Sequence, residues 1–297
     1  MSDSTGAVYD LGYEPYAGER RGRGGARRTI IADGIRRVLG LRRKARRKIL
    51  PWTLVIIAVI PAIVAVGLAF FLPAGAADGI DLASQYGQFY VLGGTIALLF
   101  SSLAAPELLI PDRKDGVLSM LSSRPLTSND YVLARFAAVV SVVAAFLLLP
   151  QLMLYFGEAG THADGIFSGL VDTAHKLPKS LFVGAIYTLT LVPLAFVVAG
   201  LSTRKAIASA IYVAGMLAVS GVADGLVRQA DFVGNRWFAL LAPFDTANSL
   251  ALWVFDESNP DSLLSVAHIS PLIGLASLVV LAVVCVLIVL RRYRRLM

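Results

Sequence analysis

The sequence predicts an all-α polytopic membrane protein with six transmembrane helices. Three observations carry this. Hydrophobic residues make up 57% of the chain and charged residues only 16%, against about 25% charged in soluble domains. Mean hydropathy is +0.71. Six stretches, residues 52–72, 86–104, 131–156, 180–201, 206–222 and 271–290, reach or nearly reach the roughly 20 mostly apolar residues that cross a bilayer as a helix. None holds an acidic residue, and Arg135, near the start of the third, is the only basic one.

The cationic residues predict the orientation. Of the 27 Lys and Arg, 23 lie before the first span, between the second and third spans with the start of span three, between the fourth and fifth, or after the sixth. The other side holds only Lys176, Lys179, Arg228 and Arg236, diluted by 11 Asp and Glu. Positive residues stay cytoplasmic, so both termini and residues 105–131 are expected inside, and residues 157–179 and 224–269 outside. The same rule accounts for the net charge of +7 without a nucleic-acid partner.

Taken in order, residues 1–25 form a Gly-, Arg- and Tyr-containing stretch with no apolar period, which reads as a disordered arm. Within residues 26–50, Ile31, Ile35, Val38, Ala45 and Ile49 recur at helical spacing among arginines and lysines. That pattern predicts a basic amphipathic helix on an anionic inner leaflet, with membrane lipids as its contact. Gly34 and Gly40 weaken it, and a break is expected near Gly40. Pro51 redirects the chain, and Trp52 sits at the interface. The first apolar run begins behind this hydrophilic arm, so it is expected to remain as a span and not to be cleaved as a leader. Residues 51–297 then make up the six-span domain.

Pro150 and Pro193 should kink the third and fourth spans. In the loop 157–179, His162, Asp164, Asp172 and His175 are types that bind metals, but they share no helical face and read as ordinary loop residues. The fifth span carries Ala206, Ala210, Ala214 and Ala218, then Gly221 and Gly225. Small residues at this period permit close helix approach, and packing inside the bundle is expected ahead of a dimer seam. Residues 237–255 are apolar enough to mimic a span, but Pro243, Asp245, Asn248 and Ser249 interrupt them. A seventh span would put the C-terminal arginines outside, so the segment reads as partly membrane-dipping helices. Ser270 and Pro271 form an N-cap and N1 pair opening the sixth span. Cys285 is the only cysteine, which excludes an intrachain disulfide.

The chemistry of the chain is defined first by what it lacks. There is no Gly-x-x-x-x-Gly-Lys-Ser/Thr phosphate loop, no Gly-x-Ser-x-Gly elbow and no His-Glu-x-x-His helix. The spans carry no carboxylate relay of the kind that drives pumps and antiporters. Gln151 and Tyr155, near the end of the third span, are candidate pathway-lining residues, with hydrogen bonding inside the bundle as the simpler reading. The positive signal is the loop 107–125 with its approach to span three. Asp112, Arg113, Lys114 and Asp115 form a mixed-charge cluster. Gly116 permits a turn, and Val117, Leu118 and Leu121 give one face of a short helix that Pro125 ends. Thr127 and Asp130 fit a capping box opening the third span. A short helix joined directly to two spans can pass a rigid-body push to both.

This run, PDRKDGVLSMLSSRPLTSNDYVLAR, resembles the loop between the second and third spans of type-2 ABC exporter permeases. The matching residues are Asp112-Arg113, Gly116, Leu118, Leu121, Pro125 and Arg135. The family more often has Glu at the position of Asp112 and Lys at that of Arg135. The basic helix before span one and the long segment before span six are also similar to this family, over about residues 26–297. The arm resembles that of permeases from high-GC Gram-positive bacteria.

The resemblance implies a permease subunit in a bacterial cytoplasmic membrane, paired with a second copy or a related subunit. A separate ATPase would hold ATP and magnesium, with no cofactor in this chain, and would dock on a cytoplasmic coupling helix. Asp112, Arg113, Lys114 and Asp115 would ring an apolar anchor of Val117, Leu118 and Leu121. At such a rim, Asp112→Asn would be mild. The cargo class that fits uncharged spans is amphipathic or lipid-like. Two other classes compete. A membrane-embedded lipid-modifying enzyme needs paired carboxylates, histidines or metal ligands near one face, and Asp112 with Asp115 finds no further cluster to join. The other is a non-enzymatic membrane assembly factor, and copurification of an ATPase would separate the three.

Overall fold

In hydrocarbon every backbone N–H and C=O must be satisfied within its own segment, and the apolar runs of this chain do so as helices. The computed structural model describes residues 22–41, 48–71, 85–117, 126–162, 164–229, 233–257 and 259–295. Their helices are α1 (Gly22–Val38), α2 (Ile49–Phe71), α3 (Tyr86–Lys114), α4 (Ser128–Gly160), α5 (Ile166–Asp172), α6 (Lys176–Leu201), α7 (Lys205–Gln229), α8 (Pro243–Val254), α9 (Leu263–Val266) and α10 (Pro271–Arg294), with a 3-10 turn at Asn235–Leu241. No strand occurs among the described residues. Six of the helices, α2, α3, α4, α6, α7 and α10, are long and apolar enough to cross a membrane. The chain is an all-helical, multi-pass membrane protein.

The spans divide into an inner and an outer set. Half or more of the apolar windows of α3, α4 and α6 is buried, but under a third of those of α2, α7 and α10. The outer three present Ile56, Ile60, Ile63, Ile211, Val280 and Val284 to their surroundings, a surface that hydrocarbon solvates without cost. Contacts at one end order the bundle. Arg113 of α3 bonds the last carbonyls of α6, Lys205 of α7 pairs with Glu107 of α3, and Tyr131 of α4 packs on Tyr293 of α10. Arg23 of α1 reaches Asp130 of α4. The described chain ends, Gly22 and Arg295, therefore lie at the same, arginine-rich end.

One boundary differs from the sequence reading. α3 does not stop near Ala104 but continues as helix to Lys114, so the polar connection begins ten residues later than expected. Leu108, Leu109 and Ile110, read as an apolar edge of a loop, are fully packed in the core. The helix passes through Pro106, which has no N–H to offer the Ser102 carbonyl. Ser209 Oγ of α7 donates to that carbonyl at 2.6 Å instead. At α4 the capping box forms as expected. Thr127 Oγ1 accepts from the Asp130 N–H at 3.3 Å and Asp130 Oδ2 accepts from the Thr127 N–H at 3.0 Å. Pro271 occupies N1 of α10, although the Ser270 side chain makes no capping bond.

The second correction concerns α7. Ala206, Ala210, Ala214, Ala218 and Gly221 are exposed and lie off the packed face. The packed face is Ala208, Tyr212, Met216, Ala223 and Val227. The larger side chains decide this. Tyr212 buries its ring, donates to the Leu191 carbonyl at 3.0 Å and accepts from Ser101 Oγ at 3.3 Å, and those bonds fix the helix rotation.

Segment 224–269 folds into the 3-10 turn, α8 and α9. α8 packs against α3, α6 and α10, with Phe244, Ala247, Leu250 and Ala251 buried. At about 1.5 Å per residue its 12 residues span about 18 Å, too short for a crossing. Tyr187 of α6 donates to Asn248 Oδ1 at 2.6 Å. In the first turn of α8, Asp245 encloses an Oδ2 oxygen with no hydrogen-bond partner. Burial pushes its carboxyl pKa up, with Asp224 adding to the rise. The folded state therefore holds the proton more tightly than the unfolded chain does. The carboxylate costs stability at neutral pH, and that cost fades as pH falls through the raised value toward 3.8. Asp245→Asn is expected to gain about 1 kcal/mol at pH 7, read as a higher melting temperature in detergent. The gain should disappear in acid; an equal gain at both pH values would refute the charge explanation.

Candidate functional site

At the arginine-rich end, two carboxylates gather the elements on either side of segment 118–125, which lies outside the described residues. The first is Asp112, in the last turn of α3 and wholly buried. Its Oδ2 accepts from Arg135 Nε at 3.0 Å, from Arg135 Nη2 at 2.8 Å and from the Tyr131 hydroxyl at 2.7 Å. Its Oδ1 accepts from Arg37 Nη1 of α1 at 2.7 Å. Arg135 is itself only 3% exposed and sends Nη1 to Asp33 of α1 at 2.8 Å. Asp33 also pairs with Arg37 at 2.9 Å. Burial alone would raise the Asp33 carboxyl pKa, but the bond and charge of Arg135, with those of Arg37, hold it below the usual value. Two carboxylates and two guanidinium groups thus close a charge-balanced ring across α1, α3 and α4. Such a group is low in energy only while every member is present.

The second carboxylate is Asp130, which caps α4 and also takes Arg23 and Arg27 of α1. Between these two hubs α1 crosses α4 closely. Its buried seam is Ile30, Gly34 and Val38, and an added Cβ on Gly34 would stand 2.6 Å from Ala138 Cβ. α1 ends in a glycine turn, Gly40 at φ +64°, with the Leu41 N–H reaching the Arg36 carbonyl at 2.7 Å. The break expected at Gly40 is therefore present. Trp52 Nε1 of α2 donates to the Leu39 carbonyl at 3.2 Å. α1 rests on α4 and α3 through protein contacts, with Ile31 and Ile35 partly buried against the core.

The expected ring of four charges divides in two. Asp112 and Arg113 face inward. Arg113 donates to the carbonyls of Ala199, Gly200 and Ser202, the open C-terminal end of α6. Lys114 and Asp115 are exposed, and Gly116 makes the expected turn at φ +68°. Val117 is half-buried. Leu118, Leu121 and Pro125 fall outside the described residues.

Gln151 and Tyr155 are both engaged within the bundle. Gln151 is 2% exposed and donates to the Tyr86 carbonyl at 3.3 Å, while its Oε1 has no partner. The Tyr155 hydroxyl donates to the Leu170 carbonyl at 2.8 Å. Nearby, Glu257 accepts from the Gly87 and Gln88 amides at 2.7 and 3.0 Å, closing the first turn of α3. Burial keeps its carboxyl pKa raised in spite of those bonds. In the loop read as unremarkable for metals, His162 lies 3.4 Å from Asp172.

The sequence reading missed Arg37, Tyr131 and Arg135 as partners of Asp112, and Asp33 as the second carboxylate of the ring. One signal was available. Arg135 is the only basic residue within the apolar stretches and Asp33 is the only acidic one among residues 22–48. A buried guanidinium demands a carboxylate. No family model matches this sequence, and no curated protein matches it, so its functional reading rests on these residues.

Proposed function

We propose that this chain is the permease subunit of an ATP-driven exporter, of the type-2 ABC kind, in a bacterial cytoplasmic membrane. One observation carries the reading: the described residues on either side of segment 118–125 form two shoulders that are each locked to several helices. Asp112 and Arg113 tie its entrance to α1, α4 and α6, and Asp130 and Arg135 tie its exit to α1 and α3. A push on that segment is delivered to four helices as one body. A simple interhelical turn has no need of this.

In this reading the arginine-rich end faces the cytoplasm, as the Lys and Arg distribution favours, and residues 157–179 and 224–269 face outside. A separate ATPase, holding ATP and magnesium, docks on the loop 107–125. Val117, Leu118 and Leu121 form the apolar anchor, with Lys114 and Asp115 at the rim. Asp112 and Arg113 act behind the contact, as the rigid mount. Closure of the ATPases drives the mount and switches the path between inward- and outward-open. A second permease copy completes the path. The outward stripe of small residues on α7 supports a close seam with it.

The test is recovery of the ATPase with the purified permease. Leu118→Asp puts a carboxylate into the apolar contact, which costs several kcal/mol unless the contact opens. ATPase recovery and coupled hydrolysis are expected to collapse, with membrane insertion unchanged because no span is altered. Equal recovery and equal transport by the two proteins would end the proposal.

A further inference from the structure

A groove runs along one face of α3 at the arginine-rich end. Phe100, Leu103, Ala104, Glu107, Ile110, Pro111 and Lys114 line it in turn. At about 1.5 Å per residue this face is about 20 Å long. The first residues of α2 and of α7 wall its sides, and the end of α1 stands over one mouth. Two cavities of about 600 and 930 Å³ make up the groove and join at Arg37, Glu107, Lys205 and Ala206.

The two halves differ in chemistry. The inner half is mostly apolar, with Val38, Leu50, Pro51, Phe100 and Leu103. Its α2 and α7 walls adjoin the exposed apolar side chains of Leu50, Ile207 and Ile211. The outer half is cationic, with Arg36, Arg37, Lys114, Arg204 and Lys205 against Asp33, Glu107 and Asp115. Arg37 is bound into the Asp112 ring and Lys205 pairs with Glu107. Arg36, Lys114 and Arg204 form no ion pair among the described residues and are exposed. Among the described residues Asp115, also at the mouth, forms no ion pair.

From this arrangement we infer that the groove holds an anionic phospholipid. Its head group lies against Arg36, Lys114 and Arg204, and an acyl chain runs inward past Ala206 and Leu103 to Phe100. Charge complementarity selects the head group. The apolar inner half, beside exposed apolar side chains of α2 and α7, selects an occupant with an acyl chain that arrives from the bilayer. The inference stands on the groove and does not need the transport reading.

The test uses delipidated full-length protein in detergent. It is incubated with equal amounts of phosphatidylglycerol and phosphatidylcholine carrying the same acyl chains, and bound lipid is counted by native mass spectrometry. Wild type is expected to retain phosphatidylglycerol preferentially. The triple variant Arg36→Gln, Lys114→Gln, Arg204→Gln should lose that preference by about fivefold for each cation removed, leaving phosphatidylcholine binding as it was. Ala206→Trp, on an exposed position where the cavities join, should lower both lipids. Glycerol phosphate, the head group without chains, should not displace the bound lipid. Unchanged selectivity in the triple variant, or displacement by glycerol phosphate, overturns the inference. Should the triple variant not purify as a single species, undiminished phosphatidylglycerol on Ala206→Trp overturns it as well.

Discussion

Asp112→Ala is expected to cost about 3–5 kcal/mol of stability, the largest single-residue effect in this protein. The carboxylate is the common acceptor for Arg135, Arg37 and Tyr131, and both it and Arg135 are almost wholly removed from solvent. Removing it leaves one buried guanidinium facing Asp33 alone and frees the end of α1. Asp112→Asn keeps the shape but not the charge and should show most of the same loss. That differs from the mild effect expected of a rim position. Replacing the pair together, Asp112→Leu with Arg135→Met, should recover much of the loss, because apolar groups of similar size leave no buried charge unpaired. Arg37 is partly exposed and can turn to water. Melting in detergent, followed by loss of monodisperse protein, measures each step. A loss for Asp112→Ala within the ~0.5 kcal/mol of ordinary surface changes would show that the hub is not structural.

Gly34→Val should separate α1 from the bundle. At Gly34 even a methyl group comes 2.6 Å from Ala138 Cβ, so something at the crossing must shift. Overpacking of this kind costs about 1–3 kcal/mol. Here the strain has a direction, since pushing α1 outward stretches both the Arg37–Asp112 and Arg135–Asp33 pairs. Ile30 and Ala134 belong to one small buried cluster with Leu126. Cysteines placed at Ile30 and Ala134, in a Cys285→Ala background, should crosslink readily in the otherwise wild-type chain. With Gly34→Val the yield should fall to background, and with Gly34→Ala to an intermediate level. Full crosslinking in the valine variant would mean that α4 accommodates the bulk and α1 is not held at this crossing. The glycine would then be a weak point of the helix and no more, as its propensity alone implies.

The small-residue stripe of α7 and the charges before span three show how two sequence signals of equal apparent strength diverge in the folded chain. Every fourth position of α7 from Ala206 to Ala218 is alanine, which in sequence reads as a packing face. Packing instead follows Tyr212 and Met216, because burying large side chains and satisfying one hydroxyl outweighs the close approach that alanines allow. Asp112 and Asp115 are chemically equivalent in sequence and three residues apart. A continuation of α3 by less than three turns beyond Ala104 puts the first inside the ring of arginines and the second in the open.

What the sequence determined by itself was the solvent and the register of the chain. Apolar runs of bilayer length, a capping box at Thr127 and Asp130, and turns at Gly40 and Gly116 depend on hydrophobicity and on backbone geometry within a few neighbouring residues. Those forces act locally and are written locally. Tertiary structure alone decided which charges meet. Arg37 reaches Asp112 across 75 positions and Arg135 reaches Asp33 across 102. Pairing at that separation follows from where α1 lies on α4, which is set by a glycine crossing. A charged residue in sequence shows only that it needs a partner; the packing of the helices chooses it.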